Sequence, residues 1–324
     1  MTTIQTAEPR LYAVHTEEPG ADLASWAPDD APAGPWSLDA AYAYCERLAT
    51  SHYENFPVAS RFVPAELRKH VWAIYAFART ADDFSDEPRF EGRRTQALDR
   101  WERLLDLAYR EDIDHPVFLA LRDTVRQREI PLAPFKALLT AFRMDLQKQD
   151  YATFAELRKY CEYSANPIGQ LVLFVHGYRG PDLHRFSNEI CTALQLANML
   201  QDLSIDIPRG RIYLPVEDRV HFGVRGTDLE AGRHTPEFKE LMRHAVARTR
   251  STFLRGQPLI RRVGASLSVE LEATWRGGMK ILELIEERDY EVLDYRPTLE
   301  RLDVAEIAAR SVFSFGRRWL RGRG

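Results

Sequence analysis

Two stretches of this chain put acidic side chains where a helix normally buries apolar ones. In the first, Tyr75, Arg79, Asp82 and Asp86 follow at steps of four, three and four. On a helix those steps keep all four on one face. Trp72, Ala76 and Phe77 surround them with apolar bulk. In the second, Gln195, Asn198, Asp202 and Asp206 are spaced three, four and four, with Leu194, Ala197, Leu200 and Leu203 between them. The spacing predicts a single helical stripe there too.

Carboxylates four residues apart repel by roughly 0.2–0.5 kcal/mol on an isolated helix. Burying them unpaired costs far more. A hard divalent cation offsets both penalties. Oxygen donors without histidine or thiolate favour Mg²⁺ over zinc, and Mg²⁺ is commonly shared between carboxylates and substrate phosphates. The stripes therefore predict a cavity that takes a phosphate-bearing substrate through bridging metal. One such pair would fit a solvated or arginine-paired face equally well. Two pairs, each extended upstream by polar residues in apolar helices, are a stronger signal. Arg209, Arg211 and Tyr213 follow Asp206 closely, placed either to meet phosphate oxygens or to cap the helix end.

Helices must carry these groups. From Ser37 to about Leu320, apolar residues recur at three- and four-residue steps between Pro and Gly punctuation. Leu98, Trp101, Leu104, Leu105 and Ala108 form one stripe; Phe135, Leu138, Leu139, Phe142 and Leu146 form another. Strand-like alternation is nearly absent, and no linker divides the helical part. The expectation is one all-α domain over 37–312. Residues 1–36, rich in Ala, Pro, Asp and Glu, are expected to form a disordered extension. Pro215 to Thr235, with three glycines, is expected to be loop, and Pro208–Gly232 a cover over the cavity.

The 324 residues, 45% of them hydrophobic, suffice for a large core. With 44 basic and 48 acidic residues the formal charge is −4, which argues against nucleic acid as a partner. Cys45, Cys161 and Cys191 form no metal or disulfide pattern and suit a reducing cytoplasm. No run approaches the roughly 20 apolar residues that span a bilayer, and the first residues do not read as a signal peptide. Residues 313–324 mix Phe313, Phe315, Trp319 and Leu320 with four arginines. Such a tail is suited either to an anionic membrane surface or to a solvated end.

The segments YAFARTADDFSDE and NMLQDLSIDIPRGRIYLP, with KYCEYSANPIG between them, resemble the squalene/phytoene synthase family. The likeness runs clearly from about His52 to Pro215. It implies an all-α isoprenoid-synthase bundle around a central cavity. It implies Mg²⁺ held by Asp82 and Asp86 on one side and by Asp202 and Asp206 on the other, with Asn198 as an auxiliary ligand. Arg79 would contact diphosphate, while Tyr75 and Gln195 line the same mouth. Tyr160 matches a tyrosine near the reacting carbons. Phe56, Phe62, Phe142 and Phe174 are candidates for the lining. Loss of diphosphate leaves a carbocation, which an apolar, aromatic, water-free cavity tolerates.

Two positions depart from family members that join two farnesyl diphosphates. In His52-Tyr-Glu-Asn-Phe56 the usual basic residue is Glu54, and the arginine usual before the first Asp of the second motif is Gln201. Ser164-Ala165-Asn166 replaces a Val-Ala-Gly pattern. HYENFPVAS and NMLQDLSIDIPRGR resemble the hydroxysqualene synthase subgroup. That resemblance implies presqualene diphosphate as substrate, water as nucleophile, and a place beside the other enzymes of a squalene route to hopanoids. Fewer cations suit a site that ionises one diphosphate. Glu54 and Asn55, or Asn166, would orient the water, with Glu54 as base. His52, Phe56, Gln201, Arg209, Arg211 and Tyr213 complete the expected substrate contacts. The competing expectations are a squalene, dehydrosqualene or phytoene synthase acting on two prenyl diphosphates, and a non-catalytic assembly protein of the same fold.

Overall fold

The computed structural model describes residues 35–51, 63–111, 113–147 and 150–321. All of it is helix and connection, apart from one isolated bridge between Asp150 and Ile212. The long helices are α1 (Leu38–Ser51), α2 (Ala65–Asp86), α3 (Arg94–Ala108), α4 (Pro116–Arg128), α5 (Ala133–Asp145), α6 (Phe154–Ser164), α7 (Asn166–Val175) and α8 (Pro181–Gln201). After them come the short α9 (Leu203–Asp206), α10 (Val216–Phe222) and α11 (Gly226–Glu230). Three long helices close the chain: α12 (Pro236–Gly256), α13 (Ala265–Glu287) and α14 (Arg301–Arg321).

Punctuation seen in the sequence sets many of the ends. Pro116, Pro181 and Pro236 sit in the first turns of α4, α8 and α12, where a missing N–H costs nothing. Thr153 caps α6 by accepting from the Glu156 N–H at 3.2 Å, and the Glu156 carboxylate reaches back to the Ala152 N–H at 3.0 Å. Thr235 caps α12 in the same way.

Two large apolar cores hold the described helices together. The first gathers α1 to α5 around Phe77, Trp101, Phe118 and Phe135, whose rings meet at 4.4 to 6.1 Å between centroids. The second packs α8, α12 and α13 around Phe238, Met242, Phe253 and Leu282. Close helix approach there depends on glycine. A Cβ on Gly256 would meet the Phe186 carbonyl at 2.8 Å and the Ile190 backbone N at 2.9 Å, both on α8. α2 is a spine of the first half and α8 of the second. α5 and α7 pack against α2, while α6 and α7 pack against α8.

Four sequence expectations change. Trp36, assigned to the extension, is held to the body by its N–H on Asp114 and by an edge-on contact with Tyr44; residues 1–34 lie outside the described residues. The expected loop after Pro215 contains α10 and α11. It is pinned by Val216 N–H to Tyr151 C=O at 2.9 Å and by Arg219 on the Asp150 carboxylate. That anchoring opposes its expected part as a mobile cover. The tail from Phe313 is not a separate element, because α14 runs through to Arg321.

Candidate active site

The first stripe is built as expected. On α2, Phe77, Ala81 and Phe84 face the first core and lock the helix. Tyr75, Arg79 and Asp82 are half-buried beside them and Asp86 is exposed at the rim. The Arg79 guanidinium lies 3.4 Å from Asp82 and 2.8 Å from Asp83. Asp83 is thus a site residue that the four-residue spacing had passed over.

The second stripe is bent. α8 ends at Gln201, and Asp202 (φ −96°, ψ 10°) leaves the helical path before the single turn of α9. Asp202 and Asp206 still share a face, because the Asp206 N–H bonds the Asp202 carbonyl at 2.9 Å. Asn198 is exposed and Gln195 half-buried on the same side. After Asp206 a 3₁₀ turn ends in Gly210 at φ +76°, where an L side chain would be strained. That reversal brings Arg211 back to donate to Asp86 at 3.4 Å. Arg211 also acts electrostatically on Asp206. It therefore joins the two stripes, and they share one mouth. Arg209 stands exposed beside Asp206.

Three tyrosines form the wall beneath. Tyr213 stacks on Tyr151 at 5.9 Å and on Tyr160 at 6.3 Å. The Tyr160 hydroxyl donates to Asp145, the last residue of α5. Neither Tyr151 nor Asp145 was singled out from the sequence. Asp145 was legible in principle, since it lies three residues beyond Phe142 and so on the same face as the apolar stripe.

The electrostatics mark a strained acidic cluster. Burial, then Asp86, push the Asp82 carboxyl up to about 6. Burial likewise raises Asp145 to about 6, against the opposing pull of its Tyr160 bond. Asp206 is raised by burial and by Asp202. Burial and Asp145 push Tyr213 up to about 12.

Two residues expected at the site serve it indirectly. Gln201 is buried, and its amide donates to the Pro297 carbonyl at 2.5 Å, on the segment joining α13 to α14. Its side chain is thus committed to holding that segment, which corrects its assignment as a substrate contact. The neighbouring Arg296 reaches the Asp202 carboxylate at 2.5 Å. No local spacing points to this cation, 94 residues away. Asn166, expected to handle water, is buried at the start of α7, where its carbonyl accepts from Thr192 at 2.9 Å. That bond ties α7 to α8. Phe142 and Phe174 pack partly buried against the first core. His52, Glu54, Asn55, Phe56 and Phe62 lie outside the described residues.

Asp82, Asp86, Asp202 and Asp206, with Asn198, offer oxygen donors only, the set that suits Mg²⁺. Among the described residues no three His, Cys, Asp or Glu side chains close around one ion-sized point. Paired donors opening on a shared mouth fit an ion that keeps several waters and completes its shell with substrate oxygens.

An all-helical body with two carboxylate stripes on one mouth, above an aromatic wall, defines an isoprenoid-synthase fold. The family model described as Squalene/phytoene synthase matches residues 49–303, and the chain belongs to that family. The phytoene synthase of Arthrospira platensis is 31% identical over 83% of this chain and 93% of its own. A solved structure described as squalene synthase HpnC from Alicyclobacillus acidocaldarius is 40% identical. It has a TM-score of 0.76 and covers 78% of this chain and 95% of that one. A ligand-bound dehydrosqualene synthase at 24% identity shares the fold, with a TM-score of 0.78 over 86% of this chain and 98% of that one. Members of the family act on prenyl diphosphates.

Proposed function

We propose that this protein is a Mg²⁺-dependent hydroxysqualene synthase. It would convert presqualene diphosphate and water to hydroxysqualene and diphosphate, as a step in bacterial squalene and hopanoid formation. The observation that carries this choice is Gln201. Its position precedes the first aspartate of the second motif, its amide donates to Pro297, and it carries no positive charge for a second diphosphate. The 40% likeness to a squalene-pathway structure supports the same direction.

Asp82, Asp86, Asp202 and Asp206 would hold the metal, with Asn198 assisting. When bound, Mg²⁺ neutralises charge developing on the departing diphosphate. Arg79 and Arg211 orient the diphosphate from opposite rims, and Arg209 approaches from the second side. Tyr160, Tyr151 and Tyr213 present ring faces to the allylic cation and keep bulk water away. The Tyr160 hydroxyl, bonded to Asp145, is held from attacking the cation itself. Glu54 and Asn55 would aim the attacking water, and Glu54 would take its proton.

The test is product analysis by mass spectrometry in ¹⁸O-water, with presqualene diphosphate and farnesyl diphosphate supplied separately. Labelled hydroxysqualene from the first, and none from the second, is the expected result. Efficient condensation of farnesyl diphosphate alone would instead identify a synthase that joins two substrates. Glu54→Gln and Asn55→Ala are expected to lower the yield of labelled alcohol; unchanged yields would remove them from the water step.

A further inference from the structure

We infer that Arg219 is a positioning residue that sets the tyrosine wall. Tyr160 is fixed by α6, but Tyr151 and Tyr213 stand on two irregular segments, one leading into α6 and one into α10. Asp150 and Ile212 join these segments by an isolated parallel bridge. The Val216 and Glu217 N–H groups add bonds to the Tyr151 and Ala152 carbonyls at 2.9 and 3.0 Å. Arg219 grips both segments at once. Its guanidinium donates to the two Asp150 oxygens at 2.7 and 2.5 Å, and its Nε–H donates to the Leu214 carbonyl at 3.0 Å. One planar group thus holds the residue before Tyr151 and the residue after Tyr213. A guanidinium can do this because its donors are spread in a rigid fork. The side chain is 12% exposed, so little water competes for these bonds.

Packing alone leaves Tyr213 room to move. Its ring stacks on Tyr151 and Tyr160, yet Tyr213 also borders a small apolar cavity with Leu157, Leu196, Met199 and Leu200. Unfilled space gives a side chain no contact on that side. The backbone on either side of the stack therefore sets its register, and Arg219 holds that backbone. Its bonds go to Asp150 and Leu214, not to the acids of the mouth. Any effect on the reaction passes through the rings. That step rests on the reading that the wall faces the allylic cation. A wall displaced by about 1 Å costs up to about 10²-fold in rate, and it admits water at carbons it otherwise covers.

Two variants of the full-length protein test it. Arg219→Lys keeps a charge for Asp150 but has no Nε–H for Leu214, and Arg219→Ala loses both. Assays use whichever of presqualene and farnesyl diphosphate the wild type consumes. Arg219→Lys is expected to recover about half or more of the Tm lost in Arg219→Ala, yet to keep only about a tenth or less of wild-type kcat, with KM within about twofold. The share of minor alcohols and hydrocarbons among its products should rise about threefold. Parallel recovery of Tm and kcat would make Arg219 a stability residue and overturn the inference. So would wild-type kcat in either variant, or a loss confined to KM. If Arg219→Ala does not fold, Arg219→Lys against wild type decides. Hydrogen exchange reads the clamp without substrate: the Val216 and Glu217 amides should exchange about tenfold faster in both variants. Unchanged protection there overturns the clamp, whereas a wild type that consumes neither diphosphate counts against the proposed reaction alone.

Discussion

Replacing Asp82 by Asn should make the metal-free protein more stable while destroying its activity. Burial and the neighbouring Asp86 raise the Asp82 carboxyl from 3.8 to about 6. A folded-state value above the unfolded one means that ionisation opposes folding. The penalty is absent below about 4, grows between about 4 and 6, and is full above that. The shift of about two units corresponds to a ceiling of about 3 kcal/mol at neutral pH. Asp82 keeps two-fifths of its side chain exposed, and solvent screening reduces this to about 1 kcal/mol. For a chain of this size that is about 1–2 °C in Tm. Asparagine retains an acceptor for Arg79, and Asp83 still holds the guanidinium at 2.8 Å. Calorimetry with chelator present should show the gain at pH 7.5 and only about a third of it at pH 4.5. Turnover should fall by about 10²-fold or more, the scale for losing one preorganised charge-stabilising group. A variant that is less stable than wild type at pH 7.5, or whose gain is the same at both pH values, refutes the picture of a strained acidic cluster.

Three further outcomes follow from the same geometry. Arg296→Ala removes the cation resting on Asp202; Mg²⁺ alone should then bind several-fold tighter by calorimetry, while KM for the prenyl diphosphate rises. Tyr160→Phe leaves Asp145 without its hydroxyl donor, so activity should fall at high pH more than at pH 6 or below, where the carboxyl holds its own proton. A flat ratio across that range would separate Asp145 from the reaction. Gly256→Ala drives a methyl into the α8 backbone and should cost about 3 kcal/mol or more, read as a lower Tm with the metal response intact.

The stripes were readable because their signal is local. Steps of three and four fix a helix face whatever the rest of the chain does, and apolar neighbours show that the face is packed. What the sequence concealed depends on tertiary closure. The break at Asp202 is one residue long and leaves the spacing unchanged. Arg296 enters from a segment with no periodicity of its own. Gln201 looked like a lost cation at the mouth, and only the Pro297 carbonyl shows what the amide does instead. Asp145 is a single acid at a helix end, and only its meeting with Tyr160 separates it from a surface residue. The short helices after Pro215, expected to be loop, were hidden for another reason. Gly223 and Gly232 read as loop, but both sit at positive φ just beyond short helices, where glycine terminates a helix.

The charges of the mouth argue for the order in which it fills. Among the described residues, six acids, Asp82, Asp83, Asp86, Asp145, Asp202 and Asp206, face four arginines, Arg79, Arg209, Arg211 and Arg296, leaving the formal count at 4 − 6 = −2. Three of the arginines already lie on carboxylates: Arg79 on Asp82 and Asp83, Arg211 on Asp86, and Arg296 on Asp202. A diphosphate approaching this arrangement meets net negative charge and finds its cations engaged. On the proposed reading, Asp82, Asp86, Asp202 and Asp206 would hold a divalent ion whose charge would offset theirs, leaving Arg211 and Arg296 available to phosphate. Arg211 and Arg296 are placed for such an exchange, one on each stripe. The ion pairs of Arg79, Arg211 and Arg296 keep these half-buried acids tolerable, and on the proposed reading metal and substrate would take over that part.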